Sequence, residues 1–470
     1  MYKYIAACSP EHASTLPAKC RPIIRYRREK FGYLAAFPSG KVAMFEESVA
    51  PLLASGATYE ECKPHLLTRF EASADFHFSA PLMGWIEITR RCNLQCPHCF
   101  VEAGEKRNGE MTTQHIFRLL EEWAGMGVFS VIITGGEPTI HPDFIEITRY
   151  AHSLGFTVGI ATNGMPLTDQ LLSQIPQDDV IISISIDEAH GQGNKGESDF
   201  DFVTRRLLKV RDYGFNTSIM TTTTHDNAPQ LNQIITWAIE NDVSLRSVPF
   251  VPMGRGSLYR EMINTSADVE MAARFWLAEE AWERVRDVKL GLCTGKVFNF
   301  LLTMVFALRR CMSGRGLCYV NSGGDIYPCT TCSGGKVLCG GNVQMKSFAE
   351  IWEDDWEIRR ITWKNFEQAC TGCPINEDKY FCTGRCPGSS SIHHQTYNGC
   401  GMTEFQKQSV LRREELFREI IQNEPRVEIE PALIISSPTL QQDISTKAQS
   451  PPMGPSHFVQ IIRGKEQRAL

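Results

Sequence analysis

The chain has no long hydrophobic run. Its longest mostly apolar stretch, Val297 to Leu308, is broken by Asn299 and Thr303 and is too short to cross a bilayer. Basic charge is not in excess either. Against 48 Lys and Arg stand 54 Asp and Glu, a formal net charge of −6, so no general field grasps nucleic acid. No convincing internal repeat is present. The opening MYKYIAACSPEH lacks the basic-then-apolar design of a secretory signal, so the expected setting is the cytoplasm, with no membrane partner. Cysteine is scarce before residue 90, where only Cys8, Cys20 and Cys62 occur. What is present is a globular composition: 470 residues, 42 % hydrophobic and 22 % charged, enough for two to four domains at about 100–200 residues each.

Beyond residue 90 the cysteines crowd. The chain has 17, of which three fall within 92–99 and eleven between 293 and 400. Among reducing thiols this argues against a disulfide framework and for metal ligation or redox chemistry.

Three regions and a tail follow from the patterning. In residues 1–79, Ile23 to Tyr26, Gly32 to Phe37 and Lys41 to Phe45 read as strands, with Pro38-Ser39-Gly40 as a turn. A helix from about Glu46 to Ala54, a Gly56 stop and a second helix opened by Thr58-Tyr59-Glu60-Glu61, at capping-box spacing, make this region winged-helix-like. Residues 80–304 alternate strand and helix. The strands are Trp85–Thr89, Phe129–Thr134, Phe156–Ala161, Val180–Ile186, Phe215–Thr223 and Leu245–Phe250. Phe144, Ile147, Ala151 and Leu154, then Val203, Leu207 and Val210, then Leu231, Ile235 and Ala238 recur at helical spacing. Six such units predict an α/β fold, a partial (β/α)6 barrel with a parallel sheet. Ser183, Ser185 and Asp187 share one strand face and Ile182, Ile184 and Ile186 the other, so the lumen is polar and holds a ligand at the strands' C-terminal ends. Residues 305–421 carry many Cys, Gly and turn residues and need metal to hold them together. Residues 422–470, rich in Pro, Ser and Gln, read as a flexible tail.

The first barrel strand runs into Cys92-Asn93-Leu94-Gln95-Cys96-Pro97-His98-Cys99, a CxxxCxxC loop. A four-iron cluster prefers four thiolates, so three leave one iron open to a ligand. A zinc knuckle that borrows His98 is the alternative from spacing alone. With its neighbours, the loop resembles the cluster motif of radical S-adenosylmethionine (SAM) enzymes. Gly135-Gly136-Glu137-Pro138 ends the second strand as the family's GGEP motif does, Thr162 and Asn163 end the third, Ser185 and Asp187 the fourth, and Asn227 closes the fifth. Val251-Pro252-Met253-Gly254-Arg255-Gly256 follows the sixth. The resemblance implies a [4Fe-4S] cluster on Cys92, Cys96 and Cys99, with SAM contacts at Gly135, Gly136, Glu137, Pro138, Thr162, Asn163, Ser185, Asp187, Asn227 and Arg255. It further implies reductive cleavage of SAM to a 5′-deoxyadenosyl radical that abstracts hydrogen from substrate; no catalytic side chain is assigned beyond the cluster.

The later cysteines run Cys311, Cys318, Gly324-Asp325-Ile326-Tyr327-Pro328-Cys329, Cys370-x2-Cys373, Cys382-x3-Cys386 and Cys400. Eight thiolates make two sets of four. Together with Gly341-Asn342-Val343 and Ser347 to Trp352 they resemble the SPASM domain, which implies two auxiliary [4Fe-4S] clusters. By that resemblance one is held by Cys311, Cys318, Cys329 and Cys386, the other by Cys370, Cys373, Cys382 and Cys400. Eight residues separate Cys373 from Cys382 where the family commonly has five, which leaves Cys332 or Cys339 open as a replacement ligand. Two zinc ribbons fit the same spacing. Cys8, Cys20, Cys62 and Cys293 read as ordinary buried thiols.

Arg21 to Tyr33, with the helices behind, resembles the PqqD-like element of ribosomal-peptide maturases, which implies that a precursor's leader segment adds a strand to the small sheet. Arg25, Arg27, Arg28 and Lys30 are either an attraction for an acidic leader or a solvated face. The expected function is radical modification of a ribosomally made precursor peptide, by a thioether or carbon–carbon cross-link, with epimerisation and excision open. A flavodoxin or ferredoxin is the expected electron donor. A sulfatase-maturase-like enzyme is the alternative, weakened by Thr330 following Cys329 where such maturases carry an acid. A zinc-scaffolded peptide-binding protein without catalysis is the other.

Overall fold

The structure is a computed structural model that describes residues 3–6, 23–37, 41–67, 76–187, 198–241, 243–274, 311–333, 338–361, 363–373, 375, 386–395 and 399–423. The Pro38 to Gly40 turn, the Val297 to Leu308 stretch, Cys8, Cys20, Cys293, Cys382 and the tail beyond residue 423 lie outside them.

The front region forms a four-stranded antiparallel sheet in the order β1 (Lys3–Ala6), β2 (Ile23–Glu29), β3 (Gly32–Ala36), β4 (Val42–Phe45). The expected strands are there, and β1 adds an edge. The expected first helix begins as a 3-10 turn, Glu47–Val49, and becomes α1 (Ala50–Ser55), where Pro51 occupies the first turn and so costs no hydrogen bond. Thr58 caps α2 (Tyr59–Cys62): its hydroxyl accepts from Glu61 N, and the Glu61 carboxylate accepts from Thr58 N at 2.6 Å.

β2 also explains the arginine run. Residues 25, 27 and 29 alternate onto one strand face, and Arg25, Arg27 and Glu29 are 2 %, 1 % and 8 % exposed. Arg27 donates to the carbonyls of Ala80, Pro81 and Gly127 and to Glu29 Oε1. Arg25 donates to the Phe129 carbonyl, Thr157 Oγ1 and Asp179. Neither expectation for the run fits this pair, because both guanidiniums are spent on docking the front sheet to the barrel. Of the run, Arg28 and Lys30 remain exposed. Leu34, Ala36 and Met44 of the front sheet share one apolar cluster with Phe78, Leu82, Met83, Phe129, Ile132 and Met312.

The second sheet has nine strands in the order β10-β9-β8-β7-β6-β5-β11-β12-β13. Its parallel part is β5 (Met83–Glu87), β6 (Ser130–Thr134), β7 (Thr157–Thr162), β8 (Val180–Ser185), β9 (Asn216–Thr223) and β10 (Ser244–Pro249). These are the six expected strands, each beside its chain neighbour. Five helices follow strands on the outer side: α3 (Thr113–Gly125), α4 (Phe144–Ser153), α5 (Asp169–Leu172), α6 (Asp199–Asp212) and α7 (Leu231–Glu240). Ile182, Ile184 and Ile186 are fully buried in the core beneath these helices, while Ser183 and Ser185 are half-buried on the opposite face, Ser183 Oγ lying 2.6 Å from Ser218 Oγ.

The cysteine-rich region continues this sheet. β11 (Leu317–Val320) pairs in parallel with β5, and β12 (Asp325–Tyr327) and β13 (Gly341–Asn342) extend it antiparallel. Four short helices, α8 (Phe348–Glu353), α9 (Glu357–Arg360), α10 (Glu367–Cys370) and α11 (Pro387–His394), and the 20-residue α12 (Glu404–Asn423) follow among the described residues. Among the described residues no helix is long and apolar enough to cross a membrane.

Candidate active site

A cavity of about 280 Å³ opens at the C-terminal ends of the parallel strands, and Cys92, Cys96 and Cys99 all line it. Their loop is tied down by its backbone. Cys92 N donates to the Gly104 carbonyl at 2.8 Å, and Gly104 N to that of Arg90 at 3.0 Å. Cys92 Sγ accepts from Leu94 N, a bond that favours thiolate, and Cys99 Sγ accepts from Ala103 N. Burial dominates at Cys92 and pushes its thiol up to about 11, helped by Glu137, Cys96 and Cys99 nearby.

Gly135 and Gly136 lie in the cavity wall. A Cβ at either would come within 2.5 Å of a carbonyl, that of Thr89 or of Arg91, so the glycines let this turn press on the stem of the cysteine loop. Gly136 N and Glu137 N donate to those same two carbonyls. Glu137 is fully buried beneath the wall, where its carboxylate accepts from Thr139 N and Oγ1, Thr162 Oγ1 and Asn163 N. Burial raises its pKa against the pull of those bonds. Pro138, buried, opens the 3-10 turn that follows.

Thr162, Asn163, Ser185 and Asp187 line the cavity. Asn163 Nδ2 donates to Asn93 Oδ1 at 2.9 Å, which links the third strand end to the cysteine loop. Asp187 accepts from Thr222 N and stands 3.4 Å from His98 Nε2. Asn227 is placed differently: it is 1 % exposed and caps its own turn, accepting from Thr224 N and donating to the Thr222 carbonyl. Arg255 also reaches the site indirectly, its guanidinium donating to the carbonyls of Cys96 and Ala103 and its backbone N to that of Cys99. Among the lining residues outside the expected set are Thr330 and Thr331, which the cysteine-rich domain sends into the cavity just after Cys329.

The later cysteines fall into groups. Cys329 and Cys332 Sγ atoms lie 3.5 Å apart in a thiol–thiol hydrogen bond that lowers the pKa of Cys329 and raises that of Cys332. Burial, with Cys311 and Cys329 nearby, pushes Cys386 up to about 12. Cys318 stands apart from the set that the SPASM resemblance implies for it; burial alone raises it. Cys373 and Cys400 pack on one cluster with Ile375, Met402 and Val410, and Cys373 N donates to the Cys370 carbonyl. Among the described residues no three His, Cys, Asp or Glu side chains are drawn together as one metal ion would require. The donor set is nonetheless of one soft kind, thiols converging on a shared cavity from one loop, which is the chemistry of an iron–sulfur site.

Residues 86–238 match the Radical SAM superfamily, and residues 311–374 match SPASM, an iron-sulfur cluster-binding domain. The chain carries a radical SAM domain followed by a SPASM domain. Its cofactors are SAM and [4Fe-4S] clusters, and the zinc alternatives fall away. Over 333 residues this radical SAM enzyme is 29 % identical to "Mycofactocin maturase MftC" of Mycobacterium tuberculosis (strain CDC 1551 / Oshkosh), covering 69 % of this chain and 81 % of that one. An "AdoMet-dependent heme synthase" of Methanosarcina barkeri is 29 % identical over 327 residues, 64 % of this chain and 90 % of that one. In fold, the enzyme resembles Streptococcus suis SuiB bound to S-adenosylmethionine, with TM-score 0.60 and 18 % identity over 83 % of this chain and 99 % of that one. SuiB is also known bound to precursor peptide SuiA.

Proposed function

We propose that this enzyme installs a cross-link, a thioether or carbon–carbon bond, in a ribosomally made precursor peptide. One observation carries the reading: Thr330 and Thr331, directly after Cys329, share a cavity with Cys92, Cys96 and Cys99. Closing a new bond from a substrate radical at an X–H group releases one electron and one proton, and a cluster held by Cys329 and its neighbours would supply the acceptor for the electron. The names of the mycofactocin maturase and of SuiB with its precursor peptide support the same substrate class.

The cofactors supply a hydrogen-abstracting radical when bound. The chain's own residues hold and orient them. Cys92, Cys96 and Cys99 are the cluster ligands, Arg255 and Gly104 fix their loop, and the Gly135-Gly136 turn, Asn163, Ser185 and Asp187 form the SAM wall. Glu137 and Asn227 act as positioning residues from below. Trp85, Val248 and Met253 give the cavity an apolar side that excludes water. Residues 1–79 are the peptide-recognition domain, 80–304 the barrel and 305–421 the auxiliary-cluster domain. The enzyme works in the cytosol with a flavodoxin or ferredoxin as reductant.

The test is anaerobic incubation of the reconstituted enzyme with SAM, a reductant and a short Cys- and aromatic-containing peptide carrying an acidic leader. A product lighter by two hydrogens is expected by mass spectrometry. Unchanged peptide alongside vigorous SAM cleavage overturns the reading. The similarity to the heme synthase favours a second reading, a porphyrin-type substrate, which the same assay with an iron porphyrin separates.

A further inference from the structure

We propose that the auxiliary site nearest the cavity is built by Cys311, Cys329, Cys332 and Cys386, with Cys332 in the place that the SPASM resemblance gives to Cys318. The inference rests on the presence of a SPASM cluster domain and does not depend on which substrate is modified.

Strand register removes Cys318. In the β11–β5 ladder Cys318 pairs with Gly84 and Tyr319 with Trp85. Paired residues of a parallel ladder share a face. Trp85 lines the cavity, whereas a Cβ on Gly84 would land 2.4 Å from Trp123 of α3. Cys318 therefore points into the helix layer, fully buried in its apolar core. Turning it to the cavity face requires a one-residue slip of β11. That slip would break the buried bond from Tyr319 Oη to Glu87 Oε2.

Contacts bring Cys332 in. Cys329 and Cys332 span a 3-10 turn, Thr330–Cys332, in the same CxxC spacing as Cys370 and Cys373. Their sulfurs are 3.5 Å apart, on the turn that sends Thr330 and Thr331 into the cavity. Helix α11, capped by Cys386, packs on this turn so closely that a Cβ on Gly388 would lie 3.1 Å from Cys332 Sγ and 2.5 Å from Thr331 Oγ1. Cys311 and Cys386 both lie near enough to Cys329 to feel its charge, and Ser313 lies beside Cys311 and Cys329. Soft donors from four chain positions thus face one region, at the wider separation that a cluster needs compared with a single ion.

The experiment is iron analysis and electron paramagnetic resonance of the reduced full-length holoprotein, comparing wild type with Cys318→Val and Cys332→Ala. Valine fills the space of Cys318 in the core. The expected result is unchanged iron and spectrum for Cys318→Val. For Cys332→Ala we expect either loss of about four irons or a shifted signal from one cluster held by three thiolates. Cys332→Ser, which keeps size and hydrogen bonding, repeats the test with far-ultraviolet circular dichroism as the folding control. Iron loss or an altered signal in Cys318→Val overturns the assignment, and so does an unchanged spectrum in both Cys332 variants. Neither readout involves a peptide, so a failed search for the substrate leaves the result standing.

Discussion

At Arg25 a guanidinium 2 % exposed donates to the Phe129 carbonyl at 3.0 Å, to Thr157 Oγ1 at 2.6 Å and to Asp179 at 3.0 Å. Asp179 is half in solvent, so the ion pair itself contributes little. The cost of Arg25→Ala comes from the buried carbonyl and hydroxyl left without their donor, about 2–3 kcal/mol. Urea unfolding should show that loss, against a change within about 0.5 kcal/mol for Arg28→Ala, whose partner Glu47 is also exposed. Equal effects would mean that Arg25 is not a docking residue. His225 offers a pH test. Its ring is 2.9 Å from Asp268 Oδ2, and that bond raises its pKa above the ordinary 6.5. A raised histidine contributes stability in full below 6.5 and loses it as pH rises through the folded value. Asp268→Asn should therefore lower the melting temperature more at pH 5.5 than at pH 8.5. A difference independent of pH removes the charge from the account and leaves only the cap that Asp268 gives Thr265 N.

At the scale of the element, the β5–β11 seam joins the barrel to the cysteine-rich domain. Glu87, 1 % exposed, receives Tyr319 Oη, Arg90 Nε and Ser322 N, and Arg90 in turn donates to the Val101 carbonyl of the cysteine loop. Tyr319→Phe removes one bond to a buried carboxylate and should cost about 1.5–3 kcal/mol. Its second effect should be slower product formation at unchanged SAM binding, since the seam sets the distance between the two domains; unchanged kinetics at reduced stability would confine it to packing. This seam was not legible in the sequence. The six barrel strands were, because Ile182, Ile184 and Ile186 alternate against Ser183, Ser185 and Asp187, and helices such as α6 repeat apolar residues at the helical period. β11 is four residues long, and its partner lies more than 200 positions away, so no local pattern announces it. The cysteine triad and its glycine turn were legible because strand, loop and turn follow in order. The positions of Asn227 and Arg255 were not, since a motif names residues near a ligand without saying whether the side chain or the backbone faces it. Arg25 and Arg27 carried a readable signal, their period of two with Glu29, which the charge of the run obscured.

At the scale of the whole molecule, the front domain is joined to the barrel by a shared core as well as by arginines. Phe129, Ile132 and Met83 of the barrel side pack with Leu34, Ala36 and Met44 in one cluster. Taking the front domain away would uncover those side chains at about 25 cal/mol per Å² of apolar surface and leave the carbonyls of Ala80, Pro81 and Gly127 without Arg27. Deletion of residues 1–67 should then give a chain that aggregates or loses SAM cleavage, whatever the domain does for substrate. A clean test of leader recognition leaves the buried face intact. The small sheet ends in β1 on one side, and on the other β4 is flanked by the Leu66–Leu67 segment, where Leu67 N donates to the Met44 carbonyl at 2.9 Å. An added strand would pair along β1 or displace that segment, and exposed charge should add to its affinity. Arg28→Glu with Lys30→Glu should keep the melting temperature and SAM cleavage at wild-type levels while weakening binding of an acidic leader peptide about tenfold at low salt, with the difference shrinking as salt rises. Wild-type leader affinity in that variant, measured by fluorescence anisotropy, would leave the front domain as packing for the barrel and move the search for the peptide-binding surface to another face.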